Sequence, residues 1–303
     1  MNRRDFLKTT LLGALAVGPL SKALHASEAN QPAATLPDLT ALHGGTPETM
    51  WQAGIKAMGG MERFVKKGAK VVVKPNIAWT LAPEFAANTS PELVAAIVQD
   101  ALKAGAEEVI VFDHSCDNGP DCYRISGIAA AAEKAGARVL HANVKSAYRQ
   151  VKINNAAAMT QADVFAAVLD CDTFINVPIL KHHGGAKMSG AMKNLMGIVW
   201  DRRIMHRKGL TQTIVDLTSL RKPDLNVVDA YRMLMDHGPR SGNLKDVSTG
   251  KFMLLSTDPV AVDVAAAKLL RFNEKTIHYL TEAARRKLGE ADLSKLKIER
   301  IEM

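Results

Sequence analysis

Few cysteines, few aromatic side chains and the absence of common metal-binding motifs exclude several classes of protein. The 303 residues contain no CxxC pair and no closely spaced cysteine run, so a ferredoxin-type iron–sulfur segment is excluded. Phenylalanine, tryptophan and tyrosine make up 5% of the chain, too little for a surface that binds nucleic acid by base stacking. The chain contains neither an HExxH nor an HxH motif, the histidine spacings that indicate a metalloenzyme.

The three cysteines, Cys116, Cys122 and Cys171, leave three interpretations open. A disulfide between Cys116 and Cys122 is compatible with an oxidising compartment and leaves Cys171 unpaired. The three side chains can also remain unligated thiols. Three thiolates can instead hold a metal or an iron–sulfur cluster with one open coordination position. We favour a disulfide or unligated thiols over the metal-bound arrangement.

Charge and hydropathy indicate a soluble globular protein that binds small anions. The net charge is +8, and basic residues alternate with acidic ones without long runs of one sign. This pattern favours small anionic ligands over DNA as binding partners. Hydrophobic residues make up 47% of the chain, and the length suffices for one large α/β domain with a sizeable core.

Residues 1–26 have the features of a twin-arginine export signal, which is removed from the mature protein. Arg3 and Arg4 precede an apolar stretch from Thr9 to Leu20 that is too short to span a bilayer. Small residues around Ala26 offer a cleavage point. We therefore expect the twin-arginine translocase as a partner, a periplasmic location and no stable membrane span in the mature form.

Residues 27–45 are predicted to be a linker, and residues 46–303 a single α/β domain. In that domain short apolar runs alternate with helix patterns, which is typical of βαβ units. The predicted strands are 71–73, 109–112, 138–140, 174–180, 225–228 and 252–255, the last of which is expected to be the final strand. We expect a mainly parallel, Rossmann-like layered sheet with helices on both faces.

The stretch 173–199 is the clearest candidate for a ligand-binding segment. Its apolar run is followed by Lys181, His182 and His183, and then by two glycines. A helix is predicted from Met188 onward because apolar residues recur at helical spacing. A basic turn before a helix N-terminus near Lys187 favours an anionic ligand.

Polar side chains cluster where the predicted strands end, and such strand ends form the ligand-binding edge of an open parallel sheet. We predict that His182 or His183 moves a proton and that Asp113 or Asp229 orients the imidazole or acts as a base. The predicted ligand-binding residues are Lys74, Asn76, Ser115, Lys181, Lys187, Lys193, Asn194 and Asp258.

Several motifs together resemble the family known as domain of unknown function 362. They are Lys74-Pro75-Asn76, the segments 174–182 and 192–197, Gly238-Pro239 and the segment 256–263. The resemblance covers most of residues 69–270 and supports the α/β fold. Some members carry a ferredoxin-type segment, but this chain lacks its cysteine runs, so that cofactor does not follow from the resemblance. The family has no agreed chemistry.

Three functions remain open at this point. The favoured one is an exported enzyme, of redox or isomerase type, that acts on a small anionic substrate or cofactor of unknown identity. The second is a metal or iron–sulfur protein whose ligands come from His182, His183, His206, Asp113 and the cysteines. The third is a non-catalytic periplasmic binding or assembly protein.

Overall fold

The structure, a computed structural model, describes residues 35–303, and Pro37–Met303 form one compact unit. The predicted export signal and most of the predicted linker lie outside the described residues. The predicted end of that linker at residue 45 is wrong, because Leu39–His43 form a strand whose apolar side chains are buried in the sheet. None of the helices within residues 35–303 is both long and apolar enough to span a bilayer.

Residues 35–303 contain twelve strands and ten α-helices, numbered in chain order. The strands are β1 Leu39–His43, β2 Lys70–Pro75, β3 Glu108–Asp113, β4 Arg138–His141, β5 Tyr148–Lys152, β6 Gln161–Phe165, β7 Thr173–Val177, β8 Ile179–His183, β9 Lys187–Ser189, β10 Leu225–Leu234, β11 Val247–Ser256 and β12 Ile298–Glu302. The helices are α1 Pro47–Ala57, α2 Pro91–Lys103, α3 Gly119–Ile125, α4 Ile128–Lys134, α5 Ala166–Asp170, α6 Ala191–Asn194, α7 Arg203–Arg207, α8 Leu210–Leu220, α9 Pro259–Leu269 and α10 His278–Arg285.

The main sheet is mixed but mostly parallel, which confirms the predicted fold class. Its strand order is β12-β1-β11-β10-β7-β2-β3-β4. Strand β11 pairs antiparallel with both of its neighbours, whereas the other neighbouring pairs are parallel. Every strand of this path except β11 therefore runs in one direction. Strands β5 and β6 form a separate antiparallel pair.

Helices cover both faces of the sheet, as predicted. Val71 and Val73 of β2 belong to a core cluster that includes side chains of α1, α2 and α4. Val72 points to the opposite face because side chains alternate along a strand, and it is also fully buried. On that second face, α6 packs near β7 and β10, and α9 near β10 and β11.

The segment from Val177 to Val199 differs from its predicted form. The predicted strand 174–180 breaks at Pro178, which cannot donate to the ladder, and β8 then continues to His183. The long helix predicted from Met188 is wrong. Its apolar residues occupy β9, the short α6 and a 3₁₀ turn at Leu195–Ile198. Apart from residues 184–187, the segment is buried or half-buried. In such surroundings apolar spacing does not distinguish a helix from other buried structure.

The strand predicted to be the last is followed by another. After β11, the chain continues through α9 and α10 to β12, which pairs in parallel with β1. The side chains of β12 are exposed or half-buried, so this edge strand lacks the apolar run from which the other strands were predicted.

Candidate functional site

A buried ion pair joins two neighbouring strands at their carboxyl ends. Lys74 precedes Pro75, the last residue of β2, and Asp113 ends β3; the Lys74 Nζ lies 2.7 Å from the Asp113 Oδ1. The side chains are 0% and 2% exposed. The other carboxylate oxygen of Asp113 accepts a hydrogen bond from the Ile77 N–H at 2.7 Å. Asp113 thus fixes both the lysine and the loop that follows β2.

Gly197 packs directly against this ion pair. A Cβ at this position would lie 1.9 Å from the Asp113 Oδ1 and 2.7 Å from the Lys74 Nζ. The glycine is required here for close approach, since any side chain would collide with the buried pair. The carbonyl of Gly197 also accepts a hydrogen bond from the His114 N–H at 3.2 Å.

Lys181 is held at the site by neutral groups. Its Nζ donates to the Asn76 Oδ1 at 3.0 Å and to the Ala87 carbonyl at 2.5 Å. The Asn76 amide in turn donates to the Asn194 Oδ1 at 3.0 Å. Lys181 is 1% exposed. Segments distant in the sequence therefore meet around this lysine, as predicted from their position at strand ends.

A chain of amides continues from Asn194 across the sheet. The Asn194 Nδ2 donates to the Asn176 Oδ1 at 2.9 Å, and the Asn176 Nδ2 donates to the Asn226 Oδ1 at 2.9 Å. The Asn226 Nδ2 donates to the Ser256 carbonyl. The Lys181 ammonium group can only donate, so in that protonation state the amide orientations are set from the Lys181 end of the chain. Asn176 and Asn226 were not predicted as site residues.

Above this network lies a cleft of about 750 Å³. Five cationic side chains line it against two carboxylates. Its charged and polar lining consists of Asn76, Asp113, His114, Cys116, Lys181, His183, Ser189, Lys193, Asn194, Trp200, Asp201, Arg202, Arg203, His206 and Arg207. The volume is typical of a small-molecule site, and the excess of cations suits an anionic ligand.

Two lysines of the cleft have perturbed pKa values. Burial lowers the pKa of Lys181 to about 7. Burial also lowers the pKa of Lys193 to about 8, and nearby Arg202 acts in the same direction. Within residues 35–303, neither lysine has a carboxylate within ion-pair distance. Protonation of either lysine side chain is therefore costly until an anion enters the cleft.

Two histidines in the cleft lining, His183 and His114, have opposite tautomers. The His183 Nδ1 accepts hydrogen bonds from the Gly185 and Ala186 N–H groups, so its proton is on Nε2. The His114 Nδ1 lies 2.9 Å from the Val199 carbonyl and must donate to it, so its Nε2 is an acceptor. Burial, aided by cations at His183, lowers both pKa values, that of His183 to about 3. Both rings are neutral near pH 7.

The structure brings six predicted site residues into the cleft: Asn76, Asp113, Lys181, His183, Lys193 and Asn194. Lys74 lies beneath it, fully buried. Ser115 lines a smaller adjoining pocket and donates to the Ile77 carbonyl. His182 accepts from the Gly238 N–H outside the cleft lining, and Lys187 is exposed at the start of β9.

Three predicted features have structural explanations instead. Asp229 is buried in β10 and accepts from the Ser90 and Tyr231 N–H groups, so its predicted place at the site is wrong. The prediction that Asp258 binds the ligand is also wrong, because its carboxylate caps the N-terminus of α9. The predicted anion site at a helix N-terminus is occupied by the Asp263 carboxylate, which accepts from the first N–H groups of α6.

Arg202 and Cys116 are cleft residues that the sequence did not single out as a pair. The Arg202 Nη1 lies 3.0 Å from the Cys116 Sγ, and its Nη2 donates to the Ser115 carbonyl.

All three cysteines are free thiols in this structure, and burial raises the pKa of Cys122 to about 11. Among residues 35–303, no cluster of three histidine, cysteine or acidic side chains is arranged to hold a metal.

The family described as "Domain of unknown function (DUF362)" matches residues 71–268, which include the ion pair, the amide chain and the residues that line the cleft. The chain belongs to this family. The resemblance found in the motifs is thereby confirmed.

This DUF362 chain is similar to the "Thylakoid-associated protein sll1697" of Synechocystis sp. (strain ATCC 27184 / PCC 6803 / Kazusa), with 28% identity over 251 residues. The alignment covers 78% of this chain and 73% of that protein. Among solved structures, it is similar to the lactate racemase apoprotein from Thermoanaerobacterium thermosaccharolyticum, with 10% identity and a TM-score of 0.47. The match covers 76% of this chain and 56% of the racemase, a likeness too low to bear on substrate or activity.

The perturbed lysines predict how stability depends on pH without ligand. Lys181 and Lys193 lose their protons at about 7 and about 8 in the folded chain, against 10.5 as the ordinary value. Between each folded-state pKa and 10.5, the unfolded chain therefore binds more protons than the folded chain. The free energy of unfolding should rise with pH in this range. The slope can reach about 1.4 kcal/mol per pH unit for each lysine. Urea denaturation at several pH values between about 7 and 9 measures it.

The matched variants for this measurement are Lys181→Met and Lys208→Met. The first should lower the slope by up to about 1.4 kcal/mol per pH unit, because one titrating lysine is removed while Lys193 remains. The second replaces an exposed lysine outside the cleft lining and should leave the slope as it is. An unchanged slope in Lys181→Met would show that this lysine does not titrate near neutral pH in the folded protein.

Proposed function

We propose that this protein binds a small organic anion in the cleft and acts on it by proton transfer. The observation that supports binding is the pair of lysines, Lys181 and Lys193, buried or half-buried without a carboxylate partner among the described residues. An uncompensated ammonium group in such a site is stabilised when a ligand supplies the missing negative charge.

The histidines supply the groups for a proton transfer. The neutral His114 offers an unprotonated Nε2, which can accept a proton from a bound ligand. His183 offers an Nε2–H, which can donate a hydrogen bond to an oxygen that gains charge. Lys181, with a pKa of about 7, is populated in both protonation states near neutral pH. This combination favours an isomerase-type reaction at a carbon next to a carboxylate.

Replacing the two lysines should abolish anion binding. In Lys181→Met/Lys193→Met, each loss of a charge-assisted contact should weaken binding by about tenfold or more. Calorimetric titration with succinate and with inorganic phosphate measures the affinity, and Lys208→Met is the control. Binding by the wild type should also weaken as the pH rises above about 8, because the lysines lose charge. A double variant that binds both probes as tightly as the wild type would remove the proposal.

Proton transfer is tested by exchange with solvent. The wild type should catalyse incorporation of deuterium from D₂O at the carbon next to the carboxylate of a bound ligand, followed by NMR. His114→Asn should slow this exchange by about 10²-fold or more, the usual contribution of a general base. His278→Asn, on α10 outside the cleft, serves as the control. Binding without exchange in the wild type would instead indicate a non-catalytic binding protein.

The proposal includes export to the periplasm by the twin-arginine translocase. It is supported by the sequence of residues 1–26, with Arg3 and Arg4 before a short apolar stretch. In a bacterial host, the full chain should appear in the periplasmic fraction with residues 1–26 removed, as shown by mass spectrometry. Arg3→Lys/Arg4→Lys should leave the unprocessed protein in the cytoplasm. Processing that survives in that variant would rule out this route.

A further inference from the structure

Four of the five cations of the cleft lie in two tiers that differ in burial, and the fifth, Arg202, contacts Cys116 and the Ser115 carbonyl. The inner tier consists of Lys181, which is 1% exposed, and the half-buried Lys193. The outer tier consists of Arg203 and Arg207, both exposed and both in the cleft lining. These arginines are four residues apart on α7, a spacing that places them on the same face of a helix.

The carboxylates of the cleft do not balance the two tiers. Asp113 is already paired with Lys74. Asp201 lies 3.4 Å from the Arg207 guanidinium, and it also accepts from the Arg203 N–H at 3.0 Å. The Arg203 side chain has no carboxylate within ion-pair distance in the part of the chain that the structure describes. A single anionic group on the inner lysines would leave the Arg203 guanidinium without an anionic partner among the described residues.

The size of the cleft points to an organic body between the tiers. Its volume of about 750 Å³ is many times the roughly 30 Å³ share of one water molecule. A lone inorganic anion would leave most of this space filled with water. The planar guanidinium groups of the outer tier fit a carboxylate or a phosphate through paired hydrogen bonds.

We propose that the ligand is an organic dianion with one anionic group at each end. Lys181 and Lys193 hold the inner group, and Arg203 and Arg207 hold the outer group, which is a carboxylate or a phosphate-type anion. This inference rests on the proposed function, since it names the class of anion that the same cleft binds.

The experiment compares probes that differ in their second anionic group. Calorimetric titrations use butyrate as the monoanion, then succinate, glutarate and adipate as dianions of increasing length, and 3-phosphonopropionate for a phosphate-type end. In the wild type, at least one dianion should bind about tenfold or more tightly than butyrate, as expected for an added charge-assisted contact. In Arg203→Gln/Arg207→Gln, the affinity for that dianion should fall to that for butyrate, whereas the affinity for butyrate stays unchanged.

A matched control separates contact from general charge. Lys208→Gln removes a positive charge next to α7 but outside the cleft lining, and it should change affinity by less than about twofold. If this variant weakens dianions as much as the arginine variant, the effect is long-range charge and the inference fails. The probes with a carboxylate as second anionic group are compared in affinity with the probe that has a phosphonate. The group that gives the higher affinity identifies the outer group, and either result supports the dianion.

Two failures are distinguishable. Equal affinity for butyrate and every dianion, or unchanged dianion affinity in the arginine variant, overturns the inference and leaves the proposed function in place. No binding of any probe by the wild type overturns both.

Discussion

The cleft depends on the buried ion pair between Lys74 and Asp113. Charges removed from water are stable only when they are paired, and loss of one partner of a buried pair typically costs about 3–5 kcal/mol. Here the pair joins the ends of two adjacent parallel strands, and the second oxygen of Asp113 holds the Ile77 N–H of the next loop. Gly197 closes over it because no Cβ fits. The position of the cleft floor follows from this one interaction.

Lys181 is held differently, although burial lowers the pKa of both Lys74 and Lys181. Lys74 has a carboxylate partner, whereas Lys181 has only amide and carbonyl oxygens. Neutral dipoles orient an ammonium group but compensate little of its charge, so burial lowers the pKa of Lys181 to about 7. An entering anion would restore the charged form. Binding and protonation are therefore coupled at this lysine.

The parallel sheet and much of the site were predictable from local patterns. Short apolar runs that alternate with helix patterns indicated βαβ units, and polar residues at strand ends indicated the edge where Asn76, Asp113 and Lys181 meet. The errors also have physical reasons. Apolar spacing from Met188 onward reflects burial on several sides rather than a helix. Asp229 and Asp258 have the same residue type as a catalytic acid, but their oxygens accept backbone N–H groups.

The sequence by itself determined the class of fold, the family and the strand ends at which charged side chains gather, because these depend on residue type and on periodicity along the chain. Tertiary structure alone decided which lysine has a carboxylate partner, which nitrogen of His114 and His183 carries the proton, and that Arg202 lies in the cleft beside Cys116. Those properties depend on groups far apart in the sequence. Hydrogen bonding and desolvation act over a few ångströms in space, and no local pattern records which distant groups become neighbours.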